Sequence, residues 1–194
     1  MKKKPQEKKF LYTNNTTEKR SLLTFLNLDH IFLKLFTKTR KKHLTRVAIF
    51  FTKLGNGQLW LMFACMTFIY NIPIGITFQF AILIQLYIQI LLKNIIKRAR
   101  PYQKFLDLEV LYIPPDPYSF PSGHTCAAFT MAFTAKLAFP ILWPYFLVVA
   151  LIIAFSRIYL AAHYPSDVFA GIIIASFSVK IALICSNLVT GVML

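Results

Sequence analysis

Five segments of the chain are too apolar to be held in water. They are 59–71, 74–92, 122–139, 141–159 and 167–188, with few charges and with turn signals between them. Crossing the hydrocarbon of a bilayer takes about 20 apolar residues in a helix, and within it every backbone polar group must be paired internally. The pattern predicts an all-α integral membrane bundle of about five transmembrane helices. Composition agrees: 57% of the 194 residues are hydrophobic and 15% charged, against about 45–50% and about 25% in soluble domains. Disordered, collagen-like and nucleic-acid-binding classes are excluded by that apolar content, despite a net charge of +15. No internal repeat is visible.

The positive charge is concentrated at the front. Of 22 Lys+Arg, 14 lie between Lys2 and Lys53, opposed there by Glu7, Glu18 and Asp29. Residues 1–20 read as a basic, unstructured tail without the apolar core of a signal peptide. Residues 21–53 place Leu22, Leu23, Phe25, Leu26, Ile31, Phe32, Leu35 and Phe36 at helical spacing among lysines. That predicts one or two amphipathic helices lying in the membrane interface, beside anionic lipid. A ragged extra span over 21–40 is the competing reading. Residues 54–194 would form the transmembrane domain. Cys65, Cys126 and Cys185 have no metal-ligand spacing and read as small buried hydrophobes.

The long connection from Lys93 to Pro121 contains Pro101, Pro114, Pro115, Pro117 and Pro121 and cannot be one helix. With five spans, this connection, the 157–167 turn and the basic N-terminal segment share one membrane face. Every charged residue except Lys136, Lys180 and the C-terminal carboxylate then lies on that side. The positive-inside rule would make it cytoplasmic, but cations that serve chemistry weaken that vote.

Three polar clusters meet on this face. Lys93 and Arg100 are seven residues apart, so both could project from one helix face. Ser122, Gly123 and His124 follow Pro121 at a helix start, where Ser122 suits the N-cap and exposed amides favour an anion. Arg157, His163 and Asp167 form the third, with Asp167 one helical turn beyond His163 and Pro165 at the helix start. Singly these are a snorkelling charge run, a cap, a structural histidine and an ion pair. Together they describe a phosphate-sized polyanion site with a nucleophile or base and an acid.

Lys93-x6-Arg100-Pro101, Pro121-Ser122-Gly123-His124 and Ser156-Arg157-x5-His163-x3-Asp167, in that order, resemble the three-part signature of the type 2 phosphatidic acid phosphatase superfamily. Gly55-Asn56-Gly57 before the first span also looks like this family. The front of the chain departs from it, since many membrane members have six spans. The resemblance implies that Lys93, Arg100 and Arg157 grip the phosphate oxygens, with Ser122 and the Gly123 amide adding hydrogen bonds. It implies that His163 attacks phosphorus, that Asp167 fixes its tautomer, and that His124 protonates the leaving group and then activates water. It implies no metal and no cofactor.

The substrate class that follows is a membrane lipid phosphate or pyrophosphate, of phosphatidic acid, phosphatidylglycerophosphate, isoprenyl or lipid A type. Vanadium-haloperoxidase-like oxidation, phosphatidyl transfer and non-catalytic lipid-phosphate binding are the alternatives. Compact length and plain loops resemble bacterial members, hence a bacterial cytoplasmic membrane. Lys97, Arg98 and Lys104 read either as headgroup guides or as solvated loop. Tyr102, Tyr112, Tyr118, Trp60 and Trp143 read as interfacial anchors, His30 and His43 as surface residues, and Gln85 and Gln89 as interhelical hydrogen-bonders.

Overall fold

The computed structural model describes residues 28–38, 40–55, 57–105 and 110–192. The expected 1–20 tail and the start of the 21–53 segment lie outside them, as does the side chain of Trp60. The described residues form eight helices: α1 (28–38), α2 (Lys42–Leu54), α3 (Gly57–Tyr70), α4 (Ile72–Ile96), α5 (Pro101–Lys104), α6 (Gly123–Ala138), α7 (Trp143–Tyr159) and α8 (Pro165–Thr190). The all-α class is as expected; one isolated bridge, Ala99 to Tyr118, closes the long connection on itself.

Each apolar segment is a helix, because a backbone without water must pair within its own segment. At 1.5 Å per residue, α4 and α8 reach about 37–39 Å, more than the roughly 30 Å of a hydrocarbon core. These two are long and apolar enough to cross a membrane, and α7 is a shorter apolar helix. The breaks also have local causes. Asn71 caps α4, its Oδ1 accepting from the Ile74 amide at 3.1 Å, with Pro73 in the first turn.

Helix α6 is the central element, packed on α4, α7 and α8. Its Ala128, Ala132, Ala135 and Ala138 are buried and bring the neighbouring backbones close. Its threonines are buried as well; Thr134 satisfies its hydroxyl by donating to the Thr130 carbonyl at 2.9 Å. Large apolar side chains such as Ile69, Tyr87, Phe169 and Leu188 instead face outward. This inversion, small inside and large outside, is the packing of a helical membrane protein rather than a water-soluble one. Cys126 is buried as expected, but Cys65 sits on the outward face of α3 and is exposed.

The segment 28–54 forms two helices, and they are part of the packed structure. Leu33 of α1 is fully buried with Ala161 and Tyr164 of the α7–α8 turn. Helix α2 lies against α7, with Ala48 beside Tyr159 and Leu160. His30, expected at the surface, stacks on Phe105 at 4.2 Å.

Candidate active site

All three clusters meet at one end of the bundle, but the connections between them differ from simple helix geometry. Lys93 projects from the last turn of α4. The helix then ends with Lys97 in a left-handed conformation, φ 47°, a C-cap position more often filled by glycine. Arg100 therefore lies beyond the helix, as the residue before α5, and not on the Lys93 face.

What brings Lys93 and Arg100 together is Asp116, a residue of the long connection that sequence reasoning missed. Its Oδ1 accepts from Lys93 Nζ at 2.9 Å and from Arg100 Nη2 at 2.7 Å. Lys93 also donates to the Tyr118 carbonyl at 2.9 Å, and Arg100 Nε to the Asp116 carbonyl at 3.0 Å. Partial burial works to raise the Asp116 carboxyl, but the hydrogen bonds and charges of Lys93 and Arg100 outweigh it and hold it below the usual carboxylate range. Its side chain is 45% exposed, so it can swing away.

Arg157 completes the cation set from the last turn of α7. It is fully buried; its Nη1 donates to Thr52 Oγ1 at 3.2 Å, and its guanidinium lies 5.0 Å from the Tyr112 ring centre. Tyr112, read from the sequence as an interfacial anchor, thus also packs against this arginine. By strict hydrogen-bond geometry Arg157 Nε and Nη2 have no partner among the described residues, with the Tyr112 hydroxyl as the neighbour near enough to interact with the guanidinium. Buried donors left unpaired cost about 1–3 kcal/mol each, and more when charged. Two of them on one guanidinium make a fork shaped for an oxyanion.

His163 sits in the turn between α7 and α8 and is almost fully buried. Its Nδ1 lies 2.6 Å from the Ser119 carbonyl, and its Nε2 is 3.3 Å from Arg100 Nη1. A carbonyl only accepts and a guanidinium only donates, so Nδ1 carries the proton and Nε2 the lone pair. Asp167 is close, with Oδ2 at 3.7 Å from Nδ1, yet it is not the group that fixes the tautomer. The Ser119 carbonyl does that, a backbone contact with no sequence signature. The Asp167 carboxylate instead accepts from the Tyr164 amide at 2.9 Å and from Arg98 at 2.6 Å. Burial, then the charges of Arg157, Arg100 and Lys93, push the His163 imidazole well below the ordinary histidine value, so it stays neutral.

Gly123 and His124 share with His163 the lining of a cavity of about 390 Å³. Ser122 occupies the N-cap position of α6, but its hydroxyl accepts from Thr125 Oγ1 at 2.9 Å rather than capping the helix. A close approach is required here: a Cβ on Gly171 of α8 would stand 3.1 Å from the Ser122 carbonyl. Asp116, Gly123, His124 and His163 supply the polar wall of the cavity, and Ile82, Leu86 and Ala127 the apolar one. Gln85 and Gln89 also line it, and the Oε1 of buried Gln85 has no partner among the described residues. They face the cavity rather than serving only to join helices.

Three buried cations around a neutral histidine, with a second histidine in the wall of the adjoining cavity, suit a class: enzymes that handle phosphate esters inside a helical bundle. The comparisons with known proteins say which. Residues 74–190 match the PAP2 superfamily, and the chain belongs to that family. It is 28% identical over 147 residues to an undecaprenyl-diphosphatase of Sulfolobus acidocaldarius, covering 74% of this chain and 71% of that one. Over 89 residues it is 42% identical to a lipid A 1-phosphatase of Rhizobium etli, covering 42% and 37% of the two chains. The fold superposes on the crystal structure of Aquifex aeolicus LpxE with a TM-score of 0.74 and 28% identity, over 80% of this chain and 94% of that one. The protein is a membrane phosphatase of the PAP2 type.

Proposed function

We propose that the chain removes the terminal phosphate from a membrane lipid phosphate or diphosphate by attack of His163 Nε2 on phosphorus. The observation that carries this is the tautomer: Nδ1 keeps its proton and donates to the Ser119 carbonyl at 2.6 Å, leaving Nε2 unprotonated beside Arg100. Substrate phosphate displaces the Asp116 carboxylate from Lys93 and Arg100 and fills the unpaired fork of Arg157. These three cations offset the negative charge gathered on the equatorial oxygens in the transition state. The Gly123 amide and Ser122 hydroxyl add hydrogen bonds from the head of α6. His124 gives a proton to the leaving oxygen, then takes one from the water that cleaves the phosphohistidine. Asp167, in the first turn of α8, stabilises the positive charge that develops on the imidazole.

The apolar side of the cavity, Ile82, Leu86 and Ala127, supports a substrate whose chain stays in lipid while its headgroup enters sideways. Helices α3, α4, α6, α7 and α8 would be the five spans, with α1 and α2 at the interface on the active-site side. The relatives named above act, by their names, on undecaprenyl diphosphate and on lipid A, and both are lipid anions of the proposed class.

The test is phosphate release by the detergent-purified protein, in EDTA, from a panel of phosphatidic acid, phosphatidylglycerophosphate, prenyl diphosphate and lipid A. Release from at least one, lost in His163→Ala and Arg157→Ala, is the expected result. Strict dependence on an added divalent metal, or activity that survives His163→Ala, would contradict the mechanism.

A further inference from the structure

Arg98, which lies between Lys93 and Arg100 in the sequence, turns toward α1 and the head of α8. Its Nη1 donates to Asp167 Oδ1 at 2.6 Å and to Ser166 Oγ at 2.7 Å, and its Nη2 to Asp29 Oδ2 at 2.7 Å. Its guanidinium covers the Tyr164 ring at 3.9 Å. Asp29, on α1, closes the network: its Oδ1 accepts from the Ser166 amide at 3.0 Å and its Oδ2 from the Ser166 hydroxyl at 2.5 Å. Asp167 is fully buried, and Asp29 nearly so. A buried carboxylate stays ionised only when paired. Asp167 has this one guanidinium as its salt-bridge partner among the described residues, apart from the neutral imidazole of His163.

We infer that Arg98, anchored by Asp29 of α1, is a positioning residue for the reaction: it holds the Asp167 carboxylate ionised and about one bond length short of a direct hydrogen bond to His163. The inference rests on the reading of His163 as the nucleophile. Three consequences of the geometry support it. Arg98 has both Nη groups engaged with Asp167, Ser166 and Asp29, so it has no free end for a substrate phosphate, unlike Arg157. Asp167 Oδ1 faces Arg98 while Oδ2 faces Tyr164 and His163, so the guanidinium sets the rotation of the carboxylate. Asp29 and Ser166 fix Arg98 in turn, which ties α1 to the catalytic pair through two charged contacts.

Removing the guanidinium leaves Asp167 two ways to be satisfied. It can take up a proton, which removes the charge that stabilises the developing imidazolium. Or it can rotate onto His163 Nδ1 and compete with Ser119 for the imidazole proton. Either change alters the nucleophile without touching the phosphate contacts of Lys93, Arg100 and Arg157. The effect therefore falls on kcat and on its pH profile rather than on KM.

The experiment measures kcat, KM and the pH profile of kcat for phosphate release by the full chain and by Arg98→Gln, Arg98→Lys and Asp29→Asn, using the lipid the wild type hydrolyses best. The expected result is a kcat lower by about tenfold or more in Arg98→Gln, the size of a coupling within one hydrogen-bond network, with KM within about twofold. Arg98→Lys recovers part of the loss because it keeps the charge. Asp29→Asn keeps the shape of the network but weakens its hold on Arg98, and gives a smaller loss with a shifted pH profile. A KM increase with kcat intact would overturn the inference in favour of substrate contact. So would wild-type kcat and pH profile in Asp29→Asn and Arg98→Lys, the variants that preserve packing should Arg98→Gln fail to fold. Failure of the wild type to release phosphate would instead count against the proposed function.

Discussion

The His163 imidazole is buried and neutral beside Arg100, and its neutrality has a thermodynamic consequence. Its folded value is depressed, while in the unfolded chain it titrates near the ordinary 6.5. Below that pH the unfolded state binds a proton that the folded state refuses, so stability is complete above about pH 6.5 and is lost as pH falls. The melting temperature in detergent should drop between pH 7.5 and pH 5, and drop less in His163→Asn; equal drops in the two proteins would contradict a buried neutral imidazole. The motif residues Lys93, Arg100, Ser122, Gly123, His124, Arg157, His163 and Asp167 were readable from the sequence because each is a chemically distinctive type at a fixed spacing. Their real partners were not. Ser119 acts through a backbone carbonyl, Asp116 is a single acid in a proline-rich connection, and Tyr112 looks like any interfacial aromatic. Such contacts depend on how a loop folds back, which no local pattern encodes.

The helices followed the hydropathy pattern closely, because segments that exclude water have no alternative to pairing their backbone internally. Expected limits of 74–92 and 141–159 became Ile72–Ile96 and Trp143–Tyr159. The misplacement of Arg100 has a physical reason: a seven-residue spacing implies one helix face only while the helix continues, and α4 ends at Lys97. The packing role of α1 and α2 was also hidden. Their amphipathic pattern showed an apolar face, but not that Leu33 and Ala48 would pack on the α7–α8 turn and the end of α7 while Ile31, Phe32 and Leu35 stay exposed. The junction of α2 and α3 carries a testable constraint. A Cβ at Gly55 would stand 2.7 Å from Cδ2 of the His124 ring, so Gly55→Ala has to displace that ring. A catalytic group moved by about an ångström loses roughly a hundredfold in rate. Gly55→Ala should therefore lower kcat by tens of fold while the protein stays folded by circular dichroism and gel filtration; unchanged kcat would place His124 outside the reaction.

Across the whole molecule, the polar chemistry is confined to one end of a bundle whose outer surface is apolar. Small residues on α6 draw α4, α7 and α8 together, and their ends bring Lys93, Arg157 and the His163 turn around the head of α6. Helices α1 and α2 complete that end by contributing Asp29 and Thr52. On the proposed reading, this end of the bundle grips phosphate while the lipid chain stays in the bilayer. The proposed chemistry turns on one bond, between His163 Nε2 and phosphorus. The most direct measurement is rapid quenching of the enzyme mixed with lipid substrate labelled in its terminal phosphate, followed by separation of protein-bound label. The expected result is a transient phosphoprotein that is stable to alkali, labile to acid and absent in His163→Asn; label that persists in His163→Asn, or hydrolysis at full rate with no phosphoprotein at any time, would contradict attack by His163.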